Sequence, residues 1–234
     1  MLDVHGKTAV ISGGAEGIGF SLAKAFGGLG MNVVITDIES AALERAEAAL
    51  KDAGTPALGV EMDVSVREDW QRTADLAEKH FGDVHMLVNN AGFGGAVGPV
   101  GSLDESGWRW AIDVNLMGVV YGANTFIPRM RAHDEPAWVI NVASIAGMAG
   151  VPYAASYTAT KAAVVALTEA WAGELAKTQI RVSVLAPAFV KTRIHESYRN
   201  RQERFAPTEA PSSQVLAMAK SANHAVESGI NPSG

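Results

Sequence analysis

Cysteine is absent from this 234-residue sequence. Without thiols, the chain can form no disulfide, no thiolate nucleophile and no thiolate metal ligand. Long apolar runs are also missing, because Gly, Lys, Asp or Glu interrupts each apolar stretch before it could span a membrane. No run of five or more like charges occurs, which excludes an acidic or basic tail. These absences exclude several classes of site but do not yet favour one.

The balance of charge and the first residues limit the partners. A formal net charge of -6 argues against nucleic acid or an anionic membrane as the main partner. There is no basic stripe and no clustered His spacing, so we expect neither a nucleic-acid module nor a metal site. Residues 1–7 lack the basic region, apolar segment and cleavage site of a signal peptide. We therefore expect a cytoplasmic globular protein.

Short apolar segments alternate with helix-length amphipathic segments from the start to about residue 185. Six apolar segments have the β-branched, non-alternating composition of strands covered on both faces. They are residues 8–11, 31–36, 57–62, 84–88, 138–142 and 180–185. This alternation predicts parallel strands with right-handed crossovers, which is a doubly wound α/β sheet of the Rossmann type with helices on both faces. No linker or repeat divides the chain, so we expect one domain over residues 1–234.

Helices are predicted at several places between and after these strands. One covers residues 20–29, and another covers residues 40–53, with Ser40 as its N-cap and Gly54 as its C-terminal stop. Residues 108–126 are predicted to form a single apolar helix. After about residue 191 the sequence becomes polar and is interrupted by prolines, with a further helix expected at about 212–226.

A glycine-rich segment directly follows the first strand and leads into the first helix. Glycine occupies positions 13, 17 and 19, and Glu16 and Ile18 lie between them. Such a loop lets the backbone turn tightly and approach a pyrophosphate at the positive end of the helix. The spacing departs from the common G-x-G-x-x-G pattern, since position 22 is Leu. Taken alone, three glycines after a strand are weak evidence, because an ordinary tight turn from strand to helix also uses them.

The second predicted strand is followed by Asp37, 18 residues after Gly19. An acidic group there accepts hydrogen bonds from the adenosine ribose hydroxyls and repels a 2′-phosphate. Position 16 is Glu and position 38 is Ile, so no Lys or Arg beside Asp37 favours that phosphate. This pattern predicts NAD rather than NADP. Asp63 and Val64, after the third strand, are predicted to contact the adenine. Either aspartate could instead only cap the helix that follows it.

Tyr157 and Lys161 lie four residues apart in a helical stretch, which places them one turn apart on one face. Tyrosine titrates near pH 10, so acid/base work near neutrality requires a pKa lower by about 3 units, worth roughly 4 kcal/mol. A cation about 4 Å away supplies about that much at an effective dielectric near 20. The pair alone is weak evidence, because Tyr and Lys often meet at this spacing as simple packing with a snorkelling amine.

Three further features strengthen the interpretation of Tyr157 and Lys161 as a functional pair. Ser144 comes at the end of the fifth strand, and ligands bind at the carboxyl ends of strands in such sheets. Residues 89–92, Asn-Asn-Ala-Gly, end the fourth strand, where small residues admit a cofactor. Asn115 lies inside the predicted apolar helix, where a buried amide needs a specific partner.

In this order and spacing, the motifs make residues 5 to about 193 resemble the short-chain dehydrogenase/reductase family. The Ser-to-Tyr spacing typical of that family is met by positions 144 and 157. The resemblance implies hydride transfer between NAD and a secondary alcohol or ketone. It implies that Tyr157 passes a proton to or from the substrate oxygen and that Ser144 hydrogen-bonds that oxygen. Lys161 is implied to hold the nicotinamide ribose and Asn115 to anchor a water.

The resemblance also assigns binding residues. The cofactor set it implies is Gly13, Glu16, Gly17, Ile18, Gly19, Asp37, Ile38, Asp63, Val64, Asn90, Ala91, Gly92, Tyr157, Lys161, Pro187, Val190 and Thr192. Ala188 replaces a glycine that the family usually has at that place. A substrate lid is expected at about 193–211, and the substrate candidates are Ser144, Phe93, Met148, Tyr153, Phe189, Ile194, Tyr198 and Phe205. Their character predicts an apolar or aromatic alcohol.

Two expectations concern the whole molecule. The family continues into a last strand for which the sequence has no pattern, so we expect the chain as given to lack it. We also expect a homo-oligomer, a dimer or tetramer, formed through helices near 104–131 and 153–177, where Trp108, Trp110 and Trp171 could serve that contact or the core.

Two other functions remain open at this point. One is an NADPH-dependent ketoreductase of the oxoacyl type, against which Asp37 without a neighbouring base argues. The other is a non-catalytic protein that senses a dinucleotide on the same fold. Such a protein is expected to have lost members of the set Asn115, Ser144, Tyr157 and Lys161, and all four are present.

Overall fold

The computed structural model of the chain describes residues 3–206, apart from the side chain of His195. Six parallel strands form one sheet in the order β3-β2-β1-β4-β5-β6. The strands are β1 Thr8–Ser12, β2 Asn32–Asp37, β3 Ala57–Glu61, β4 Val84–Asn89, β5 Ala137–Val142 and β6 Ile180–Leu185. The helices are α1 Gly17–Gly28, α2 Ser40–Asp52, α3 Arg67–Phe81, α4 Glu105–Ile112, α5 Gly118–His133 and α6 Ala155–Glu174. Each strand lies within one residue of its predicted bounds.

Helices cover both faces of the sheet, as the uninterrupted apolar strands predicted. Successive strand residues point to opposite faces. On one face, Val10 and Leu87 pack with Trp70 of α3 and Phe126 of α5. On the other face, a second buried cluster joins the strands to α1 and α2; its members include Ile11, Val33, Ile35, Ala23, Leu43 and Leu50. The confirmed architecture is therefore the doubly wound α/β sheet of the Rossmann type.

The strand order places a crevice at the carboxyl edge of the sheet. From β3, at one edge, the chain returns to the middle and adds β4 on the other side of β1. The loops after β1 and β4 consequently diverge to opposite faces, and the gap between them is where ligands bind in open α/β sheets. The loops that carry the predicted site residues follow β1 to β6 at this same edge.

The predicted single helix over 108–126 is wrong in one respect. α4 ends at Ile112, a π-helical turn covers Asp113–Met117, and α5 then begins at Gly118. Wide turns of this kind often occur at functional sites. Here the turn contains Asn115. Its side-chain amide forms hydrogen bonds with the backbone N–H and carbonyl of Phe93.

The predicted N-cap of α2 is also wrong. Glu39 occupies the N-cap position, and the Ser40 hydroxyl donates to the Glu61 carboxylate 2.5 Å away. The C-terminal stop is confirmed, because Gly54 has a φ of +81° and its N–H donates to the carbonyl of Lys51. α1 begins at Gly17, three residues before its predicted start. The predicted helix at 212–226 and the lid beyond residue 206 lie outside the described residues.

The three tryptophans suggested for a subunit contact have different surroundings. Trp110 is buried and stacks on Phe93, so it belongs to the core of the subunit. Trp108 and Trp171 are only half-buried. Within residues 3–206, no helix combines the length and the apolar character that crossing a membrane requires.

Candidate active site

A cavity of about 610 Å³ lies at the carboxyl edge of the sheet. Its wall is formed by the loops after all six strands together with the segment that follows Thr192. Sixteen of the seventeen predicted cofactor residues line it, Gly19 being the exception. The topology therefore brings together residues that are up to 179 positions apart in the sequence, from Gly13 to Thr192.

The glycine-rich loop borders this cavity through Gly13, Glu16, Gly17 and Ile18. Gly13 and Gly17 have φ values of +61° and +56°, a region that favours glycine. Gly19 faces the protein instead, since a Cβ there would come within 2.1 Å of the Gly13 carbonyl oxygen. Gly19 therefore permits the close packing of the loop, and its contact with a cofactor stays a prediction. The loop delivers the positive end of the 12-residue α1 to the cavity.

Ser12 and Asn90 join the loops after β1 and β4. The buried Ser12 Oγ accepts from the N–H groups of Asn90 and Ala91 at 3.0 and 3.1 Å and donates to the Val88 carbonyl at 3.3 Å. Asn90 Nδ2 donates in return to the carbonyls of Ser12 and Gly13, both at 2.9 Å. These bonds fix the distance between the two loops, so the glycine-rich loop and the 89–92 segment form one rigid unit.

The Asp37 carboxylate has one of its expected roles in the fold, the support of the helix that follows it. Its oxygens accept from the N–H of Glu39 at 3.1 Å and of Ala15 at 3.3 Å, so it does support the start of α2. It also lines the cavity beside Ile38. Burial raises the pKa of Asp37, and the backbone hydrogen bonds partly oppose that effect. Each carboxylate oxygen can accept a second hydrogen bond, which leaves room for ribose hydroxyls.

Asp63 and Val64 line the same end of the cavity. Asp63 Oδ1 accepts from the N–H and the hydroxyl of Ser65 at 3.0 and 2.6 Å, which stabilises the turn after β3. The N-cap position of the next helix, α3, is occupied by Val66 instead. The aspartate therefore holds the turn ahead of α3.

Tyr157 and Ser144 meet at the other end of the cavity. Tyr157 is in the first turn of α6, and Ser144 directly follows the loop after β5. Burial raises the pKa of Tyr157, while a hydrogen bond from Ser144 lowers it to a smaller extent. Ser144 Oγ also accepts from the Ala146 N–H at 3.2 Å. The two hydroxyls thus form a pair that faces the cavity.

Lys161 lies behind Tyr157 and is only 4% exposed. Its Nζ donates to the Val142 carbonyl at 2.8 Å and lies 5.8 Å from the centre of the Tyr157 ring. Burial lowers the pKa of Lys161 to about 8. In this arrangement burial of the phenol raises the Tyr157 pKa, and the contribution that opposes it comes from the Ser144 hydrogen bond rather than from Lys161.

Asn115 is fully buried and does not line the cavity. Its Oδ1 accepts from the Phe93 N–H at 2.9 Å and its Nδ2 donates to the Phe93 carbonyl at 3.0 Å. A Cβ on the neighbouring Gly92 would lie 3.0 Å from Asn115 Oδ1 and 3.4 Å from Lys161 Nζ. The amide therefore holds the loop after β4 in place beside Lys161.

The segment after β6 lies against the glycine-rich loop. Pro187, Val190 and Thr192 line the cavity, as does Ala188 at the position where the family usually has glycine. The Pro187 carbonyl accepts from the Ile145 N–H at 3.1 Å, which ties the segment to the loop that carries Ser144. A Cβ on Gly17 would come within 3.0 Å of the Thr192 methyl group. The two loops thus enclose one part of the cavity.

The predicted substrate residues separate into two groups. Phe93, Phe189, Ile194 and Tyr198 line the cavity together with Ser144. Met148 and Tyr153 do not line it, and they are 66% and 52% exposed. Phe205 is buried against Phe93 and Trp110 and does not line the cavity either.

Sequence reasoning missed several apolar residues of this wall, namely Val97, Trp110, Val114, Ile145, Val151 and Ala154. Trp110 could have been found, because it lies about one helical turn before Asn115 in the sequence. The others lie in loops whose course no local pattern specifies. All are apolar, which strengthens the prediction of an apolar substrate end.

Three arginines of the segment 193–206 were also missed, and two of them, Arg193 and Arg199, line the cavity. Arg193, Arg199 and Arg204 pair with Glu16, Glu39 and Asp63, respectively. Those three carboxylates follow β1, β2 and β3, so the segment 193–206 crosses the loops that end these strands. Along the sequence the arginines are more than 140 positions away from their partners. No spacing pattern could have revealed them.

A dinucleotide fits these residues. The cavity runs without interruption from the start of α1 and Asp37 at one end to Tyr157 and Ser144 at the other. A helix N-terminus, a half-buried carboxylate and a largely apolar wall suit a pyrophosphate, a ribose and a ring system in turn. Among residues 3–206 no group of three or more His, Asp or Glu side chains could hold a metal ion.

Comparison with known proteins agrees with this geometry. A family model described as short chain dehydrogenase matches residues 7–203. A C alpha-dehydrogenase of Sphingobium sp. strain SYK-6 is 38% identical over 205 residues, 88% of this chain and 67% of that protein. A cyclohexanol dehydrogenase of an Acinetobacter species is 35% identical over 188 residues, 80% of this chain and 74% of that protein.

Solved structures give the same result. The crystal structure of a short chain dehydrogenase/reductase from Burkholderia phymatum in complex with NAD has a TM-score of 0.97 and 38% identity. The match covers 100% of this chain and 84% of that chain. With the family model matching most of its length and relatives above 30% identity, the chain belongs to the short-chain dehydrogenase/reductase family of oxidoreductases.

Proposed function

We propose that the chain is an NAD-dependent oxidoreductase that interconverts a secondary alcohol and a ketone, with Tyr157 as the acid/base. The observation that carries this proposal is the Tyr157–Ser144 hydroxyl pair in a cavity that continues to the start of α1 and Asp37. Bound NAD would accept or return the hydride. The names of two relatives, a C alpha-dehydrogenase and a cyclohexanol dehydrogenase, support chemistry on a carbon that bears a hydroxyl.

In this proposal the chain supplies the proton chemistry. Tyr157 Oη takes the proton of the alcohol oxygen during oxidation and returns it during reduction, while Ser144 Oγ hydrogen-bonds that oxygen. Because the pKa of Lys161 is about 8, its ammonium is mostly protonated at neutral pH and stabilises the phenolate that forms. Asn115 acts as a positioning residue, since it fixes the loop after β4 next to Lys161. The raised pKa of Tyr157 favours alcohol oxidation at alkaline pH.

The substrate end supports an apolar or aromatic alcohol. Phe93, Phe189, Ile194 and Tyr198 border it, and its remaining wall is also largely apolar. Such walls favour a ring or a branched chain over a sugar or an acid, because burying an unpaired polar group is costly. We further propose that Asp37 selects NAD over NADP and that the chain acts as a homo-oligomer.

The proposal is tested by Tyr157→Phe, which removes one hydroxyl and keeps the ring. We expect kcat with NAD to fall by about 10²- to 10⁴-fold, the factor general acid–base catalysis contributes. The Kd of NAD, measured by calorimetry, is expected to stay within about threefold of the wild-type value, because binding energy comes mainly from the other loops. The assay is NADH absorbance with aliphatic, steroid, sugar and aryl alcohols.

Tyr153→Phe is the matched control, since Tyr153 is exposed and outside the cavity. Its turnover is expected to equal that of the wild type. Wild-type turnover by Tyr157→Phe would overturn the acid/base assignment. Binding of NAD with no turnover on any alcohol or ketone would favour a dinucleotide-sensing protein instead, and turnover with NADPH alone would favour the ketoreductase alternative.

A further inference from the structure

Two arginines lie at the end of the cavity where Asp37 stands, although none is near it in the sequence. Arg193 and Arg199 line the cavity together with Glu16, Asp37 and Glu39. Basic groups therefore do lie at the same end of the cavity as Asp37, although no Lys or Arg stands beside it in the sequence. In space, guanidinium groups reach this end from the segment after β6.

Both guanidinium groups are occupied by carboxylates. Arg193 Nη1 donates to the two oxygens of Glu16 at 2.9 and 3.2 Å, and its Nε donates to Glu196 at 2.7 Å. Arg199 Nη2 donates to Glu39 Oε1 and lies 3.8 Å from Glu16 Oε2. Arg199 is thus held between a carboxylate of the glycine-rich loop and one from the loop after β2.

Glu39 is held in its ionised form, in which it can pair with Arg199. Asn200 Nδ2 donates to the same Glu39 oxygen at 2.8 Å. Burial raises the pKa of Glu39, but the hydrogen bonds from Arg199 and Asn200 lower it further than burial raises it, so the net pKa lies below its usual range. The carboxylate is accordingly ionised at neutral pH and competes with any other anion for the arginine.

Arginine suits a phosphate for the same reasons that it suits a carboxylate. Its planar fork donates two parallel hydrogen bonds to either group and keeps its charge at all working pH values. A 2′-phosphate on the adenosine ribose is what distinguishes NADP from NAD. A phosphate at this end of the cavity would meet the carboxylates of Asp37, Glu39 and Glu16. Glu196 also pairs with Arg193, so four negative charges stand against the two arginines.

We propose that Glu39, assisted by Glu16, determines cofactor preference by occupying Arg199, which otherwise forms a binding site for the 2′-phosphate of NADP. The proposal rests on the dinucleotide site of the proposed function. This proposal differs from selection by Asp37 alone. The Glu39 carboxylate excludes NADP because it pairs with Arg199, so that the guanidinium is not available to the 2′-phosphate. Arg199 is consequently a specificity-determining residue that does not bind the 2′-phosphate as long as Glu39 pairs with it.

The test uses Glu39→Ser, which frees Arg199 and places a good N-capping residue before α2. The probes are adenosine 2′,5′-bisphosphate and adenosine 5′-monophosphate, titrated by calorimetry into the full chain, together with NADP and NAD. We expect the Kd of the bisphosphate to fall by about tenfold or more, the factor of one charge-assisted hydrogen bond. The Kd of the monophosphate is expected to stay within about twofold, because it carries no 2′-phosphate.

The double variant Glu39→Ser/Arg199→Gln decides whether the arginine is responsible. We expect it to lose the gain completely, whereas Arg199→Gln alone should leave the bisphosphate as weakly bound as in the wild type. Adding Glu16→Gln to Glu39→Ser should improve binding further. Glu105→Ser is the matched control, because Glu105 also pairs with an arginine, Arg109, but on α4 and outside the cavity.

The outcomes separate the inference from the function on which it rests. An unchanged bisphosphate Kd in Glu39→Ser, or a gain that survives Arg199→Gln, overturns the inference while NAD binding by the wild type leaves the proposed function intact. Failure of the wild type to bind either NAD or adenosine monophosphate overturns both. If Glu39→Ser unfolds, as shown by thermal melting, Glu39→Gln replaces it, with a gain in the same direction as the supporting result and none as the contrary result.

Discussion

Two regions border the same cavity and are built in opposite ways. The floor consists of residues 12–19, 89–93, 115, 144, 157 and 161, and the cover consists of residues 193–206. The floor is held by buried hydrogen bonds that end on backbone groups, such as those of Ser12, Asn115 and Lys161. The cover is held largely by ion pairs between partly exposed side chains, such as Arg193–Glu16 and Arg199–Glu39.

This difference determines which region can move. A buried backbone group that loses its partner costs about 1–3 kcal/mol, because no water replaces the bond. An exposed ion pair contributes about 0–1 kcal/mol, since water and salt compete for both charges. The floor is therefore expected to keep its geometry, whereas the ionic attachments of the cover open and close at little cost.

One part of the cover is attached by buried aromatic packing instead of ion pairs. Phe205 is buried against Trp110, and the Arg201 guanidinium lies 5.1 Å from the centre of the same indole ring. Arg201 also donates to the Ser106 hydroxyl at 2.9 Å and to the Phe205 carbonyl at 2.6 Å. The cover thus has an aromatic end, fixed to α4, and an ionic end, fixed to the loops after β1, β2 and β3.

The largest expected effect is a loss of stability when one asparagine of the floor is replaced, compared with the replacement of one asparagine of the cover. Asn115→Leu leaves the N–H and carbonyl of Phe93 unpaired in the floor, so the free energy of unfolding should fall by about 4 kcal/mol, at about 2 for each group. Asn200→Leu removes one bond to Glu39 in the half-buried part of the cover, and the loss should stay below about 1 kcal/mol. Urea denaturation measures both values. Equal losses would contradict the distinction between floor and cover.

The second effect is a pH dependence that only the floor should produce. Burial lowers the pKa of Lys161 from 10.5 to about 8, so between these values the folded chain binds fewer protons than the unfolded chain. The free energy of unfolding should therefore rise with pH across this window, by up to roughly 3 kcal/mol from this group. Below about pH 8 both states hold the proton and the slope disappears.

Lys161→Met should remove that rise, as measured by urea midpoints at pH 8 and pH 10 relative to the wild type. Lys191→Met is the matched control, because Lys191 is exposed just before the cover. The raised pKa of Tyr157 acts in the opposite direction only above pH 10, outside most of the window. A wild-type rise that persists in Lys161→Met would show that another group carries it.

The smallest effect concerns the ionic end of the cover. Salt screens partly exposed pairs, so raising the ionic strength should speed tryptic cleavage after the cover arginines by a few-fold, about the factor that a loss below 1 kcal/mol produces. Glu16→Gln/Glu39→Gln should give this faster cleavage already at low salt, without altering a cleavage site. Glu105→Gln on α4 should cleave like the wild type. Cleavage that is insensitive to salt and to both substitutions would mean that the aromatic end alone holds the cover.

The predictions from the sequence were most accurate where local spacing carries the information. The strands follow from short, non-alternating apolar segments, and the glycine-rich loop, Tyr157 and Lys161 follow from their spacing and from positions at strand ends. Met148 and Tyr153, by contrast, are exposed and do not line the cavity, and the φ of +67° at Tyr153 is a backbone conformation that no spacing pattern predicts. Asn115 was correctly expected to be buried, but the π-helical turn decided its partners.

The sequence by itself determined the family, the order of strands and helices, and the presence of a tyrosine, a lysine and a serine at the edge of one sheet. Local rules suffice there, because side chains at fixed helical or strand spacing share a face whatever the rest of the chain does. Only the tertiary structure decided the electrostatics. Burial raises the pKa of Tyr157 and lowers that of Lys161, and folding brings Arg199 to Glu39 across 160 residues. Desolvation and distant charge pairs depend on which surfaces meet, and no local pattern encodes that.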